Sequence, residues 1–544
     1  MQNFQRYYRH HPYQNVYQRL NMVWTPAKSS ALSPSYNWND AEMANMAFFT
    51  QEEALFNSVP SASAYIEFSN GANATIHNDA FRFSEGTESA SKLFFSTIPM
   101  HVDLPLPFQA VSSLLQRYSM EVVNVQYSLG TEFIRDYITT SMIRYEELTI
   151  EQQAATLLSQ VYFLRFCRSH HEFVLRDQTD VRLHVYQIES LLNQSTREPK
   201  PEDAMAALHL ISVILFDGGN SDKWRQYLDF AARYVKERMR GTRDINGGLE
   251  RLRELGDKEA FIVKTAIWFD VLASVTTNES PLLLDVVRSL FKPSRSGLAE
   301  LSDTTAFALM DRIDGNDGNS TPPSEGESEE KTSMMSPMGC ENRVVWAFAE
   351  ISSLAQSKWQ LKERGKLSIK NLVLQSNKIE KELKAGYMKN TNDYSDVMSY
   401  SRYLVSNIFR TSALLYLHAV VNGGYPQVYQ ISLAVDEVMR WIRCIPWKPK
   451  EQTEKQIHRT VIRSTVFAFY ITGALTDDEK YRKTIIDHLV REVGAVMRNC
   501  KAILEILDEI WSERRSARSG SQCTDEVLWR EKLTGRLGES ILLV

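Results

Sequence analysis

One aspartate, Asp270, lies inside an otherwise apolar stretch, FIVKTAIWFDVLASVTTNESPLL at residues 261–283. An ionised carboxylate that leaves water without partners costs several kcal/mol, so such a residue is paired, protonated, turned to solvent or catalytic. With Trp268 and Phe269 beside it, the stretch favours a buried structural carboxylate that is held by backbone amides or by a basic side chain from another helix. The functional alternative is an effector-sensing carboxylate in a pocket between helices.

A second candidate is the acidic pair Asp477 and Asp478 in the stretch TDDEK. Helical terpenoid synthases use carboxylates one helical turn apart to hold magnesium against a diphosphate. Here the required fifth position is Tyr481, and the stretch that begins at Asn392-Asp393 lacks the glutamate of a second metal motif. Both halves of the pattern fail, so the sequence argues against this class of enzyme.

The histidines are candidate metal ligands or catalytic bases. His170-His171 stands next to Glu172, but adjacent helical residues point about 100° apart and do not converge on one ion, which favours a surface turn. His209 and His418 lie in apolar runs and are predicted to be core histidines bonded to a backbone carbonyl. The sequence has no phosphate-binding loop, dinucleotide fingerprint or nucleophile elbow, so we expect no catalytic, cofactor-binding or metal-ligating residues and no enzyme.

The composition is that of a globular protein, with 43% hydrophobic and 24% charged residues among 544 and a net charge of −5. This charge gives no global attraction to nucleic acid or to an anionic membrane. The cysteines form no CxxC pair and are predicted to be reduced thiols; they are Cys167, Cys340, Cys444, Cys500 and Cys523. The first residues lack the apolar core of a secretory signal, so we expect a soluble intracellular protein without a membrane partner.

Residues 1–104 form the least patterned region and are predicted to be poorly ordered. The region begins with aromatic and basic residues and has no acidic residue before Asp40. The alternatives are a loosely ordered tail and a basic arm that touches DNA or an importer. From Pro105 onward apolar residues recur at helical spacing, which predicts helices.

Residues 311–337 interrupt the helical pattern with glycine, serine, proline and seven acidic residues, against only Arg312 and Lys331. Such a segment cannot bury enough surface to offset its ordering entropy, so we expect a disordered acidic linker. It is either a solvated loop or a phosphorylated or coactivator-binding tract. The predicted fold is therefore all-α, a large multi-helix array with a first packed half at 105–310 and a second at 338–544.

The segment 358–389 is basic, with nine lysines or arginines against three glutamates. Its lysines are spread around the predicted helix and alternate with apolar anchors at Leu372, Val373 and Ile379. A nucleic-acid face and the solvated side of a surface helix are both compatible with this pattern, and the spread of the lysines favours the solvated side.

Several stretches together resemble the regulatory domain of fungal zinc-cluster transcription factors. In 261–283 the resemblance rests on an aromatic–aspartate pair in a buried helix and a Thr-Thr then Pro ending, namely Trp268, Phe269, Asp270, Thr276, Thr277 and Pro281. The other similar stretches, which follow in consistent order, are 207–235, 338–359, 416–446, 465–489 and 502–515, followed by Trp529. Together they extend over about residues 105–535, most of the chain.

The resemblance implies a nuclear, non-enzymatic transcriptional regulator in which an effector, phosphorylation or a partner shifts helix packing. Members of that family usually begin with a six-cysteine zinc cluster that reads the major groove, but no cysteine precedes Cys167. The chain is then either a fragment of such a factor or a paralogue that reaches DNA indirectly. Its expected partners are the transcription machinery or a DNA-binding protein, with a small-molecule effector and a homodimer left open.

Two alternatives from other classes remain at this point. The first is a helical small-molecule-binding protein or enzyme, for which turnover or a copurified ligand would be the sign. The second is a purely structural adaptor, which would copurify with a DNA-bound partner. The target genes and the direction of regulation do not follow from the residues.

Overall fold

A computed structural model describes most of the chain after residue 107. The described residues are 108–130, 135, 138, 148–166, 173–194, 199–217, 221–242, 244–293, 331–385, 396–493, 499–518, 526–533 and 540–543. The predicted N-terminal region 1–104 and residues 311–330 of the predicted linker lie outside them, as do His170, His171 and Glu172. The described part contains helices and no β-sheet, which confirms the all-α prediction.

The helices before the linker are α1 (Phe108–Arg117), α2 (Val123–Gln126), α3 (Ile150–Phe166), α4 (Phe173–Gln194), α5 (Pro201–Phe216), α6 (Lys223–Arg238), α7 (Ile245–Glu254), α8 (Asp257–Thr277) and α9 (Leu284–Phe291). Those after it are α10 (Met335–Met338), α11 (Asn342–Glu363), α12 (Ile369–Lys384), α13 (Val397–Asn422), α14 (Tyr429–Ile442), α15 (Gln452–Ser464), α16 (Val466–Ala474), α17 (Glu479–Val493) and α18 (Asn499–Arg518). A π-helical turn, Tyr118–Val122, joins α1 to α2, and a short 3-10 helix forms at Glu531–Leu533.

Several helices begin where local sequence provides a cap. The carboxylate of Asp244 accepts the backbone N–H of Gly247 at 2.8 Å at the start of α7. Asp396 accepts the N–H groups of Met398 and Ser399 at 2.6 and 3.0 Å at the start of α13. These bonds satisfy donors that have no partner within the helix, so the starts are encoded locally.

Helix α8 is buried around its whole circumference from Ala260 to Thr276. A helix that is apolar on every side belongs in the interior, and α8 packs against α5, α6, α10 and α11. It ends at Asn278, which adopts a left-handed conformation with φ of 59°. Both α8 and α13 are long and apolar enough to cross a membrane, but each is buried by protein along most of its length, as expected of core helices.

The core is continuous across the two predicted halves. Helices α8 and α9 of the first half pack on α11 of the second, and the buried apolar side chains of both halves form one cluster. The linker prediction was wrong at its C-terminal end, because residues 331–337 are described and largely buried. Met334 and Met335 are fully buried there, since their apolar side chains have a place in the core.

The chain end packs against helices that are distant in sequence. The N–H of Val527 donates to the carbonyl oxygen of Gly424 at 2.6 Å, and the Tyr470 hydroxyl donates to the carbonyl oxygen of Trp529. Only glycine fits at position 424, since a Cβ there would lie 2.1 Å from the Val527 oxygen. The described residues after α18, 526–533 and 540–543, are therefore part of the folded body.

Candidate functional site

Asp270 is buried in α8 and is held by backbone amides. Its carboxylate accepts the N–H of Leu282 at 2.9 Å and that of Leu283 at 2.7 Å, in the turn that leads into α9. Burial raises the pKa of Asp270 to about 6, although these two hydrogen bonds, and Lys236 more weakly, act in the opposite direction. The carboxylate is thus ionised at neutral pH and ties the end of α8 to the start of α9.

Trp268 lies two residues before Asp270 in α8 and faces a different neighbour. Its ring packs edge-to-face on Phe409 of α13, with the ring centroids 5.0 Å apart. Phe409 also packs edge-to-face on Phe348 of α11 at 6.1 Å. Trp268 thereby joins the buried helices α8 and α13 through an aromatic contact.

Trp268 also lines a small cavity of about 70 Å³. The cavity lies between α2 and the residues after it, α5, α8, α10 and the end of α15. Its polar lining includes Gln126, Ser212, Arg463 and Ser464. The two residues predicted from sequence are therefore separated in role, since Trp268 borders the cavity and Asp270 is not among its lining residues.

A polar network centred on the partly buried Gln126 reaches one wall of this cavity. The Tyr118 hydroxyl donates to Gln126 Oε1 at 3.0 Å, and Gln126 Nε2 donates to Ser212 Oγ at 2.8 Å. Gln126 Nε2 also lies 3.2 Å from Nδ1 of His209. Burial lowers the pKa of His209 to about 3, so this ring is neutral and its Nδ1 can accept. The sequence prediction of a backbone carbonyl partner for His209 was wrong, because the contact is with a side chain of α2.

A second buried network, which the sequence did not reveal, joins α15 to α17. His458 Nδ1 lies 3.2 Å from Glu492 Oε1, and Nε2 of the same ring lies 3.2 Å from Nδ1 of His488. Burial would raise the pKa of Glu492, but Arg463, whose Nε donates to it at 3.2 Å, and His458 outweigh it and lower this pKa to about 2. Since a carboxylate only accepts, Nδ1 of His458 carries the hydrogen in this chain of bonds.

A third network fixes the start of α11. The guanidinium of Arg410 is buried against the carboxylate of Glu341, and it also donates to the carbonyl oxygens of Leu383 and Ala385 at 3.1 and 3.0 Å. Ser406 donates to the same carboxylate at 3.3 Å. Because each charge has its partners, the network stabilises the packing of α11, α12 and α13.

The acidic pair Asp477 and Asp478 has partners other than a metal ion. Asp477 pairs with Arg514 and, at 3.3 Å, with Arg482, while Asp478 accepts the backbone N–H of Lys480 at 2.7 Å. Among the described residues no group of three or more histidines, cysteines or acids is placed to hold a metal ion. These carboxylates thus hold helix ends in place.

The cavity beside Trp268 has dimensions suited to a few water molecules. Its lining offers hydrogen-bonding groups, but the described lining residues include no cysteine thiol, histidine ring or carboxylate that could act as a nucleophile or base. The arrangement can solvate and orient buried polar groups. It supplies no acid–base pair for covalent chemistry.

Comparisons with known proteins point to one family. The model described as the fungal specific transcription factor domain matches residues 180–544. The trichothecene biosynthesis transcription regulator TRI10 of Trichoderma arundinaceum is 26% identical over 180 residues, which are 32% of this chain and 38% of that protein. The TRI10 regulator of Fusarium sporotrichioides is 24% identical over 182 residues, or 32% of this chain and 39% of that protein.

The chain therefore matches well under half the length of either relative. No solved structure matches it significantly. The family match, however, extends from α4 to the end of the chain, which is more than half of the sequence, and it includes α8 with Trp268 and Asp270. It confirms the resemblance seen in the sequence, and the chain belongs to the fungal-specific transcription factor domain family.

Proposed function

We propose that this chain is the helical regulatory domain of a nuclear transcriptional regulator. The observation that carries the proposal is the family match over 180–544, which coincides with one continuous helical core. The curated relatives are named as transcription regulators of trichothecene biosynthesis. We assign only the regulator role to this chain, since the pathway in their names is a property of those proteins.

The proposed mechanism is conformational and not enzymatic. Arg530 of the C-terminal segment donates to the Val275 carbonyl oxygen at 3.1 Å, to Asn278 Oδ1 at 2.6 Å and to the Tyr416 hydroxyl at 2.8 Å. One side chain thus links the end of α8, the core helix α13 and the chain end. A partner or effector that binds one packing of these elements better than another shifts the population towards it.

The alternative of a small-molecule-binding protein or enzyme receives less support. Ligand pockets are typically roughly 300–1,000 Å³ in volume, whereas the cavity beside Trp268 is about 70 Å³. We assign Asp270 a structural role within this proposal, because both oxygens already accept backbone N–H groups. Contact with DNA is proposed to be indirect, through a DNA-binding partner protein or the transcription machinery.

The test uses the chain as it stands and the same chain fused to a heterologous DNA-binding module. The fusion is expected to change transcription of a reporter that carries the module's binding site, relative to the module alone. Chromatin immunoprecipitation of the unfused chain is expected to show enrichment that depends on a partner protein. A folded, nuclear fusion that leaves the reporter unchanged, together with an unfused chain that is absent from chromatin, contradicts the proposal.

A further inference from the structure

Helix α12 buries only a narrow stripe. Leu372, Ser376, Ile379 and Leu383 face the protein at spacings of three and four residues, as expected of an amphipathic surface helix. The N-terminal end of this helix is fixed by Ser368, whose Oγ accepts the N–H of Asn371 at 3.3 Å. The rest of its circumference faces solvent.

The exposed side of α12 carries three aliphatic side chains. Ile369, Val373 and Leu374 are 59%, 41% and 51% exposed. Ile369 and Val373 are four residues apart, so Val373 lies about one turn along the helix from Ile369, and both are beside the buried stripe. Burying such side chains is favourable at roughly 25 cal/mol per Å² of apolar surface, so a binding partner gains free energy by covering them.

Lysines lie on the same side of the helix. At 100° per residue, Lys370 and Lys381 project within one-quarter turn of each other, between Val373 and Leu374 around the helix. Both are exposed, and neither forms an ion pair with any described residue, whereas Lys384 is paired with Glu380 at 2.6 Å. We call Ile369, Lys370, Val373, Leu374 and Lys381 the α12 outer face.

We propose that the α12 outer face binds an acidic amphipathic segment of a partner protein. The acids of the segment pair with Lys370 and Lys381, and its apolar side chains cover Ile369 and Val373. Charge complementarity favours this class of occupant, because acidic groups can pair with the two lysines while apolar side chains of the same segment cover the adjacent aliphatic groups. A nucleic-acid backbone would engage the lysines alone and leave the aliphatic groups exposed to water.

This inference goes beyond the proposed function, because a peptide-binding face is a property of the folded chain whatever the chain regulates. The experiment is fluorescence anisotropy with the full chain and a labelled synthetic peptide in which Asp or Glu alternates with Leu and Phe. A peptide of the same charge with Ser in place of Leu and Phe serves as the ligand control. We expect the amphipathic peptide to bind more tightly than the serine peptide. Its affinity is expected to fall as the salt concentration is raised.

Two double variants separate the contributions of the lysines and of the aliphatic side chains to peptide binding. Lys370→Glu/Lys381→Glu and Ile369→Ser/Val373→Ser are each expected to weaken binding of the peptide by about tenfold or more, a loss near 1.4 kcal/mol. The matched control is Lys480→Glu/Lys483→Glu on α17, which changes net charge equally at exposed lysines that form no ion pair with described residues. Circular dichroism verifies that each variant remains folded.

Several outcomes overturn the proposal. If duplex DNA binds the chain and this binding is lost on charge reversal of Lys370 and Lys381, while the peptide does not bind, the occupant is a nucleic-acid backbone and not an acidic peptide. Binding that occurs only after residues 311–330 are deleted would assign the face to the acidic segment of the chain itself. Self-association that is abolished by Ile369→Ser/Val373→Ser, without peptide binding, would assign it to a second copy. If the wild type, both α12 variants and the α17 control bind the peptide with equal affinity, the α12 outer face is not the peptide-binding site.

Discussion

The carboxylate of Asp270 and the backbone amide of Leu283 are joined by a hydrogen bond of 2.7 Å across the turn between α8 and α9. The second oxygen accepts the N–H of Leu282, so one side chain satisfies two adjacent amides that precede a helix. A carboxylate at this position also interacts favourably with the N-terminal end of α9. These two hydrogen bonds support the structural role proposed for Asp270.

Asp270→Ala is expected to lower the free energy of unfolding by about 2–4 kcal/mol, because the N–H groups of Leu282 and of the buried Leu283 lose their acceptor. Asp270→Asn retains one acceptor oxygen and places an NH₂ group against the other amide, so its loss should be smaller. Urea denaturation at neutral pH measures both. A variant that keeps its wild-type stability but no longer responds to a partner or effector would show that Asp270 acts in signalling.

Part of this arrangement could be predicted from the sequence and part could not. The buried helix around Trp268 and Asp270 follows from local apolar patterning, and backbone amides were among the predicted partners of Asp270. The identity of those amides depends on the turn after Asn278, whose left-handed conformation is not determined by spacing.

Contacts between distant residues were the least predictable features. Arg530 binds groups in α8 that are 252 and 255 residues away, and Gln126 lies 83 residues from His209. Contacts of this kind leave no periodic signal in the sequence, because each involves a single side chain and a single distant partner. The buried pair of Glu341 and Arg410 also escaped the sequence analysis, since charged residues on a helix are ordinarily assigned to its solvated face.

Arg530→Ala should destabilise the protein by about 1–3 kcal/mol, because the Val275 carbonyl, Asn278 and the Tyr416 hydroxyl all lose a donor. Arg515→Ala, at an exposed arginine of α18, is the control. We expect limited proteolysis to cut the C-terminal segment faster in Arg530→Ala than in the control. Equal melting temperatures and equal cleavage rates for the two variants would show that Arg530 does not anchor the segment.

Gly424→Ala tests the close approach of the chain end to the turn after α13. The added Cβ would lie 2.1 Å from the backbone oxygen of Val527, so the two segments have to separate. Gly256→Ala is the matched control, because its nearest atom would be a flexible Glu259 oxygen at 3.9 Å. Thermal unfolding should show a loss greater by about 1–3 kcal/mol for Gly424→Ala. If Gly256→Ala is equally destabilised, the close approach of Val527 to Gly424 does not limit which residue fits at position 424.

The buried histidines predict a loss of stability in mild acid. Burial lowers the pKa of His488, His209 and His184 to about 3, 3 and 4, from an ordinary value of 6.5. At pH values between these lowered pKa values and 6.5, the unfolded chain binds more protons than the folded one. The free energy of unfolding therefore falls as pH decreases below 6.5. Asp270 acts in the opposite sense, since its raised pKa of about 6 makes the folded state bind the extra proton between pH 6 and 3.8.

Three histidines outweigh one aspartate, so the wild type should be several kcal/mol less stable at pH 5 than at pH 7.5 in urea titrations. Each histidine that stays neutral in the fold contributes about 2 kcal/mol to this difference. His488→Asn keeps a donor near the position of Nδ1, facing Nε2 of His458, but has no ring to protonate in the unfolded chain. It should therefore lose about 2 kcal/mol less than the wild type on acidification, even if its stability at pH 7.5 is lower. An unchanged pH dependence in His488→Asn would show that this ring is already protonated in the fold.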